Sequence, residues 1–385
     1  MKNGFRFFDC DLHVVEPLSI WQERLPEPFR SATKFGATLP NAPVPFEFDL
    51  NGRRFTGTDP VMRRKIPGRL DIQPNLLEAS RNPTPEIYER DFDIEGIDVG
   101  VITPTTFLFM CAIDGMDPDY SLAICQAYND WLAEFCSAKP DRLKFYAWLP
   151  KHSARLAARE ARRCVEELGA VGVAMTTAPI DGRLHSDPFF DPLWEELNGL
   201  NVPLGLHGYA GNTGVRDNMA HRYTGHYRAE VTARVFTDVV HAQSFLAEVI
   251  LSGVLQRFPN LKPIIFEVGA SWLTWLLAAI DGRWNYLGPA VDYTLDLTPR
   301  EYFRRQCFIS IDPDEEGIEH LVEDGWAGNL LVSTDYPHHD CAFPRAVEEF
   351  LSLNIPDEAK RQIGWDNAMR IFDIKSGIKI PEAVA

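Results

Sequence analysis

The sequence has no closely spaced pair of cysteines. Its seven cysteines are an odd number, and they lie scattered from Cys10 to Cys341 without a C-x-x-C motif. Disulfide frameworks and thiolate metal sites both need cysteines in close or regularly spaced pairs. We therefore expect reduced thiols, which are typical of proteins that work in the cytoplasm.

Basic residues are few relative to acidic ones. The chain has 38 lysines and arginines against 55 aspartates and glutamates, which gives a formal net charge of −17. Such a charge opposes binding to nucleic acids or to anionic membranes. No apolar run reaches the length of a membrane span, and residues 1–4 lead into a predicted strand without the apolar segment of a signal peptide. We expect a cytoplasmic protein with neither nucleic acid nor a membrane as a partner.

The chain does contain a regular alternation of apolar runs with amphipathic stretches. Its 385 residues, 45% of them hydrophobic, suffice for one large barrel domain with insertions or for two ordinary domains. Eight strands that alternate with helices predict a parallel sheet closed into a (β/α)8 TIM barrel. A doubly wound open sheet is the alternative, but no G-x-G-x-x-G follows a predicted strand. After a first strand that begins near residue 7, the predicted strands are 99–103, 144–149, 171–175, 203–207, 263–268, 307–311 and 329–334.

A long segment separates the first strand from the second. Residues 22–95 are rich in proline, glycine and arginine, and they are too numerous for an ordinary loop between a strand and a helix. Within them, Asn51 and Gly52 stand between the patches 46–50 and 53–55, and Asn-Gly is a strong hairpin signal. We predict that 22–95 forms an inserted cap lobe on a single barrel domain that spans 1–385.

The end of the first strand carries side chains that can bind a metal. Because successive side chains of a strand alternate between faces, Asp9, Asp11 and His13 are predicted to share one face. Phe7 is predicted to lie on that same face, below them, inside the barrel. Cys10 would point away from this face, so a thiolate ligand is not expected.

Three other predicted strands also end in such side chains: His207 ends the fifth strand, Glu267 the sixth, and Asp335 follows the eighth. Active sites of (β/α)8 barrels lie at the C-terminal ends of their strands. Imidazole and carboxylate ligands favour zinc, manganese or iron. The sequence thus predicts a site for one or two divalent metal ions, and metal-bound water or a polarised carboxylate supports hydrolysis and decarboxylation equally well.

Several motifs resemble those of the amidohydrolase-related family, known as amidohydrolase 2, within the metal-dependent amidohydrolase superfamily. This family includes aminocarboxymuconate semialdehyde decarboxylase and γ-resorcylate decarboxylase. The resemblance implies that Asp11 and His13 match the ligand pair of the first strand, His207 the fifth-strand ligand and Asp335 the eighth-strand ligand. The motifs are Asp9-Cys10-Asp11-Leu12-His13-Val14-Val15-Glu16-Pro17, Tyr128-Asn129-Asp130-Trp131, Pro140-Asp141-Arg142-Leu143, Asp191-Pro192-Leu193-Trp194, Gly253-Val254-Leu255-Gln256-Arg257-Phe258-Pro259-Asn260-Leu261 and Ser333-Thr334-Asp335-Tyr336-Pro337-His338.

Two positions depart from the pattern of the family. Asp11 stands where histidine or glutamate is commoner, and Glu267 stands where many decarboxylases have a histidine. The extra carboxylates are compatible with a second metal ion, and a few relatives look like nonheme diiron proteins. We therefore include Glu267 among the predicted metal ligands.

Other histidines are assigned by their surroundings. We predict that His338 and His241 handle protons together with Glu267, although His241 could equally be a helix-packing residue. His339 is expected to face solvent or a substrate loop, and His221 and His226 to lie in loops. Glu16 is expected to contact residues of the site without binding the metal itself.

The leading hypothesis from the sequence is a metal-dependent hydrolase that acts on an amide, ester or thioester through metal-activated water. The second is a nonoxidative decarboxylase of an aromatic or unsaturated carboxylic acid. A nonheme dinuclear iron oxygenase and an inactive partner subunit of a homologous enzyme are further alternatives. The expected partners are a small substrate of the carboxylic-acid type and further subunits, in a homo-oligomer or in a hetero-oligomer with a homologous chain.

Overall fold

A computed structural model describes most of the chain, in eight segments. These segments comprise residues 1–17, 19–35, 47–50, 53–56, 74–105, 107–208, 230–338 and 341–372. His221, His226, His339 and the turn residues Asn51 and Gly52 lie outside the described residues.

Eight parallel strands form the central sheet, and they follow one another around it in chain order. Strictly consecutive order with helices between strands is the arrangement of a (β/α)8 barrel, so this prediction is confirmed. The predicted strand limits differ from the observed ones by at most three residues. The barrel strands are β1 (Phe8–Val14), β5 (Val99–Pro104), β6 (Leu143–Trp148), β7 (Gly172–Thr176), β8 (Pro203–His207), β9 (Lys262–Phe266), β10 (Phe308–Ile311) and β11 (Leu330–Val332).

The barrel closes where β11 approaches β1. The backbone N–H of His13 donates to the carbonyl oxygen of Tyr336 at 2.8 Å. Lower down, the carboxylate of Asp9 accepts hydrogen bonds from the backbone N–H of Thr334 at 3.2 Å and from its hydroxyl at 2.5 Å. A buried side chain therefore completes the seam at the level where backbone pairing between the two strands is lacking in the described structure.

Helices surround the barrel and follow the predicted alternation. The helical region between β8 and β9 is divided, because Gly253 adopts a left-handed φ of 75° between its two parts. No described helix is long and apolar enough to cross a membrane. The α-helices are α1 (Ser19–Arg24), α2 (Phe29–Ala32), α3 (Pro74–Arg81), α4 (Pro85–Glu95), α5 (Phe107–Cys111), α6 (Pro118–Ser137), α7 (Ala154–Arg163), α8 (Asp191–Leu200), α9 (Glu230–Leu251), α10 (Val254–Arg257), α11 (Leu273–Leu287), α12 (Pro299–Gln306), α13 (Ile318–Glu323), α14 (Ala346–Ser352), α15 (Asp357–Arg361) and α16 (Asn367–Ile371).

A small antiparallel sheet lies in the segment between β1 and β5. It has three strands, β2 (Thr33–Phe35), β3 (Glu47–Leu50) and β4 (Arg53–Thr56), in that order. Leu50 pairs with Arg53, so β3 and β4 are joined across two residues and the predicted hairpin is confirmed. The limits of the cap lobe, 22–95, remain a prediction.

Aromatic side chains fill the lower part of the barrel. Phe7, which was predicted to lie among them, does not. Phe8 stacks on Phe372 at 5.2 Å between ring centroids, and Phe372 also contacts Tyr146 of β6. Phe7 instead packs against Phe350 of α14, at 5.7 Å. The prediction that Phe7 shares a face with His13 is wrong, because the pairing of β1 with β5 shifts register between Asp9 and Leu12 and breaks the strict alternation.

Gly205 in β8 leaves the space that the ring of Phe266 occupies. A Cβ at this position would lie 2.3 Å from Cε2 of Phe266, which is far inside van der Waals contact. We expect Gly205→Ala to lower the free energy of unfolding by about 1 to 3 kcal/mol through overpacking. Urea denaturation would measure this loss. The control is Gly199→Ala, where nothing lies within 4 Å of the added Cβ; an equal loss in both variants would contradict the packing argument.

Candidate metal centre

Asp11 and His13 lie at the end of β1, where they join the C-terminal mouth of the barrel. The Asp11 carboxylate accepts a hydrogen bond from the hydroxyl of Thr103 at 2.9 Å. Asp9 does not join them, contrary to the expectation, because its carboxylate is engaged by Thr334 at the seam described above. The register shift in β1 separates the two aspartates that simple alternation places together.

Two buried imidazoles present the same nitrogen to the centre of the mouth. Nδ1 of His13 lies 2.8 Å from the carbonyl oxygen of Pro104, and Nδ1 of His207 lies 2.7 Å from that of Gly208. A carbonyl oxygen only accepts hydrogen bonds, so both Nδ1 atoms carry a proton. This arrangement leaves Nε2 of each ring as the atom directed at the site, which is how metal-binding histidines are oriented in proteins.

The donor atoms of the centre lie close together. Nε2 of His13 is 3.1 Å from Nε2 of His207, and the Glu267 carboxylate is 2.8 Å from Nε2 of His207 and 3.6 Å from Nε2 of His13. Asp11 completes this group, in which all four donor atoms lie within 4.8 Å of one another. Adjacent ligands on a cation with bonds of roughly 2.1 Å are separated by about 3 Å, so these distances fit a bound metal.

The facing nitrogens give an independent test of the fit. With both Nδ1 atoms protonated, two lone pairs would face each other across 3.1 Å unless a positive charge lies between them. In the metal-free protein a proton on His207 supplies that charge. Burial opposes this protonation, but the charges of Glu267 and Asp11 outweigh it and raise the pKa of His207 to about 10. A divalent cation would take the place of this proton.

The other groups of the centre titrate accordingly in the metal-free protein. Burial raises the pKa of Asp11 to about 7, although the charge of His207 opposes the shift. Burial lowers the pKa of His13 to about 3, and the neighbouring His338 adds to the shift. Partial burial opposes ionisation of Glu267, but the positive charge of His207 and the hydrogen bond from its Nε2 hold the pKa of this carboxyl well below its usual value. At neutral pH an ionised Glu267 therefore lies beside a protonated His207, and His13 is neutral.

Glu267 and Asp335 reach the centre through unusual backbone conformations. Glu267 comes directly after β9 and has a left-handed φ of 53°. Asp335 lies close to the end of β11 and has a left-handed φ of 59°. Non-glycine residues rarely adopt such angles, which concentrate at functional sites. The Glu267 side chain is 36% exposed and that of Asp335 is 21% exposed, whereas Asp11 and His13 are buried. The two strained residues thus form the solvent-facing side of the centre.

Asp335 links the centre to His338. Its Oδ1 lies 3.2 Å from Nε2 of His13 and 2.6 Å from Nδ1 of His338. The His338 ring stacks on the ring of His13 at 4.1 Å. His13, Glu267, Asp335 and His338 form a second group of donor atoms within 4.8 Å of one another. This group shares His13 and Glu267 with the first, so the two groups are overlapping parts of one centre.

His241 does not join this centre. It is buried in α9 and belongs to neither group of donor atoms. Burial, together with the charges of Lys151 and His241, lowers the pKa of His185 well below its usual value, which places His241 beside His185. A role of His241 in proton transfer remains a prediction. Thr103, which donates to Asp11, and Thr105, which contacts His338, could not be predicted, because a lone threonine after an apolar run carries no signal of its own.

Imidazole and carboxylate side chains thus lie together at the C-terminal mouth of a parallel (β/α)8 barrel. This combination is typical of a class of enzymes with a catalytic metal site. Within this class, the family model described as amidohydrolase (Amidohydro_2) matches residues 8–374. The chain belongs to this family, as its motifs predicted.

Two curated relatives of the chain are decarboxylases. γ-Resorcylate decarboxylase from Polaromonas sp. (strain JS666) is 30% identical over 256 residues, which cover 64% of this chain and 75% of the relative. 2-Amino-3-carboxymuconate-6-semialdehyde decarboxylase from Dictyostelium discoideum is 25% identical over 255 residues, which cover 66% of each chain. Both kinds of enzyme were expected from the motifs.

A solved structure supports the fold. The crystal structure of dihydroxybenzoic acid decarboxylase from Polaromonas sp. JS666, with bound manganese and the inhibitor 2-nitroresorcinol, aligns with a TM-score of 0.66. The alignment covers 96% of this chain and 97% of that chain at 21% identity. The chain is thus an enzyme of the amidohydrolase superfamily, a hydrolase or a carbon–carbon lyase. The relatives favour the second hypothesis from the sequence, decarboxylation, over the first, hydrolysis.

Proposed function

We propose that the protein is a metal-dependent, nonoxidative decarboxylase of a hydroxylated aromatic carboxylic acid. The observation that carries this proposal is the coincidence of a metal-donor centre with 30% identity to a γ-resorcylate decarboxylase over 256 residues. Neither half is sufficient alone, because the same donor types also serve hydrolases. The experiment that tests the proposal must therefore also be able to detect hydrolysis.

The proposed ligands of the cation are Asp11, His13, His207 and Glu267, with Asp335 beside them. Three carboxylates and two imidazoles suit manganese, zinc or iron, and the high share of oxygen donors favours manganese among these. When bound, the cation would hold the substrate's carboxylate and a neighbouring hydroxyl, and would stabilise the negative charge that develops there.

We propose one cation per chain. Nε2 of His13 belongs to both groups of donor atoms, and its Nδ1 is engaged by the carbonyl of Pro104. A single nitrogen lone pair binds one cation, so the two groups cannot be filled at the same time with His13 in both. Metal analysis of protein purified without chelator should therefore give a stoichiometry near one.

The reaction requires a proton at the carbon that loses CO2. The bond between the ring carbon and the carboxyl carbon breaks, its electron pair stays with the ring, and one proton replaces the departing CO2. His338 and Asp335 are placed to deliver this proton, since they are joined at 2.6 Å and each is about one fifth exposed to solvent. A proton from water can therefore reach the mouth of the barrel through this pair.

The test is an assay of the purified enzyme after metal removal and reloading with manganese, zinc or ferrous iron in turn. We expect 2,6-dihydroxybenzoate to release CO2 and resorcinol in equal amounts, and only in the presence of a metal. The matched control is 3,5-dihydroxybenzoate, whose hydroxyls are not adjacent to the carboxylate and which should react at least about a hundredfold more slowly.

Other outcomes of this assay would overturn the proposal. If esters or amides of the same acids are hydrolysed and none of the acids releases CO2, the hydrolase hypothesis is correct. Uptake of dioxygen would identify an oxygenase. A protein that binds no metal and converts none of these compounds would support the hypothesis of an inactive partner subunit.

A further inference from the structure

We propose that Thr105 is a positioning residue that orients the His338 ring toward Asp335, and that Glu16 holds Thr105 in place for this task. The inference rests on the proposed function, because it concerns the residues that deliver the proton in that reaction. Thr105 and Glu16 belong to neither group of metal-donor atoms. They act through His338 and not through the cation.

Three contacts hold the His338 ring. Its Nδ1 lies 2.6 Å from Oδ1 of Asp335, and its Nε2 lies 3.1 Å from the hydroxyl oxygen of Thr105. Its face stacks on the ring of His13, with 4.1 Å between centroids and 30° between planes. The stack sets the plane of the ring, but it does not decide which edge faces Asp335.

The hydroxyl of Thr105 makes that choice. An ionised carboxylate only accepts hydrogen bonds, so the His338 nitrogen that faces Asp335 carries a proton. The neutral ring then has an acceptor at Nε2, and a threonine hydroxyl can donate to it. A ring turned by half a rotation would present carbon atoms to both partners and lose both polar contacts. Thr105 thus selects one ring orientation and the tautomer with the proton on Nδ1.

Thr105 is itself fixed from the end of β1. The buried carboxylate of Glu16 accepts hydrogen bonds from the backbone N–H of Thr105 at 2.8 Å and from that of Phe107 at 3.4 Å. The N–H of Thr105 also points to the carbonyl of Val14, at 3.1 Å. These bonds pin the backbone where β5 ends, so the hydroxyl of Thr105 meets His338 without having to be ordered on substrate binding.

The first test compares two substitutions of Thr105 in the manganese-loaded enzyme. Thr105→Val keeps the shape of the side chain and removes the hydroxyl, and we expect kcat to fall roughly tenfold, the scale of one lost hydrogen bond, with KM and metal content unchanged. Thr105→Ser keeps the hydroxyl and should stay within about twofold of the unaltered enzyme. Equal losses in both variants, or no loss in Thr105→Val, would overturn the proposal.

The second test does not depend on activity, so it separates a failure of this inference from a failure of the proposed function. The zinc-loaded protein, labelled with 15N-histidine, reports the tautomer of His338 through its ring-nitrogen chemical shifts, and His338→Gln assigns the signals. We expect a single tautomer protonated at Nδ1 in the unaltered protein and in Thr105→Ser, and a mixture in Thr105→Val. Identical spectra in all three proteins, or a proton on Nε2 in the unaltered protein, would overturn it.

Discussion

Replacing His207 with alanine is expected to strip most of the bound cation from the protein while the barrel stays folded. His207 supplies the nitrogen that lies between the carboxylate of Glu267 and the imidazole of His13, at 2.8 and 3.1 Å. Loss of residues that merely support metal ligands costs roughly 10- to 100-fold in affinity, so loss of a ligand should cost at least a hundredfold. Metal analysis after dialysis would measure the loss, and circular dichroism would report the fold.

The fold should survive this change because His207 lies at the end of β8, above the packed layer that contains Phe266 and Tyr146. The matched control is His320→Ala, since the His320 side chain is 85% exposed on α13 and belongs to neither group of donor atoms. Full metal retention in His207→Ala would contradict the assignment of the centre. Metal loss in both variants would point to a nonspecific effect of removing histidine.

Replacing Glu267 with glutamine is expected to lower turnover by at least about a hundredfold, the scale of a group that acts directly in acid–base or ligand chemistry. The substitution keeps the size of the side chain and removes its charge. Without that charge, the contact of 2.8 Å to His207 no longer joins a carboxylate to an imidazole, and one of three negative charges around the cation is lost. Steady-state kinetics of the reloaded enzyme would measure the effect.

Metal content distinguishes the roles that Glu267 can have. If Glu267 is a ligand, as we propose, the affinity for the cation should fall together with turnover. If Glu267 only handles protons, turnover should fall at unchanged metal content. A decrease from two ions per chain to one would contradict the single cation of our proposal. Glu323→Gln is the matched control, because that carboxylate is 75% exposed and belongs to neither donor group.

Glu267 adds a negative charge to the centre. Asp11, Glu267 and Asp335 together carry more negative charge than one divalent cation neutralises. In the reaction that we propose, a substrate carboxylate enters this surrounding and leaves as neutral CO2 while the ring takes up a proton. Within the bound complex, the excess charge would therefore favour the neutral products over the substrate anion, while the equilibrium in solution stays unchanged. It also predicts that binding of a substrate anion is weaker than at a neutral centre, which the KM for 2,6-dihydroxybenzoate would show.

The barrel and the approximate place of its site could be predicted from the sequence. The alternation of apolar runs with helical stretches identifies eight strands, because a buried parallel strand needs an unbroken apolar run and a covering helix needs one apolar face. The C-terminal ends of parallel strands meet at one mouth, so His13, His207, Glu267 and Asp335 could be assigned to a common site from their positions after those runs.

The details of the site were decided by the tertiary structure. Alternation along β1 predicts that Asp9 joins Asp11 and that Phe7 fills the barrel, and the register shift against β5 reverses both. Glu267 reaches His207 from a left-handed backbone conformation, a conformation that periodicity does not encode. The physical reason is the same in each case. Local sequence sets which face of an element is apolar, whereas register, backbone strain and the partners of a side chain depend on contacts with strands that are distant in the chain.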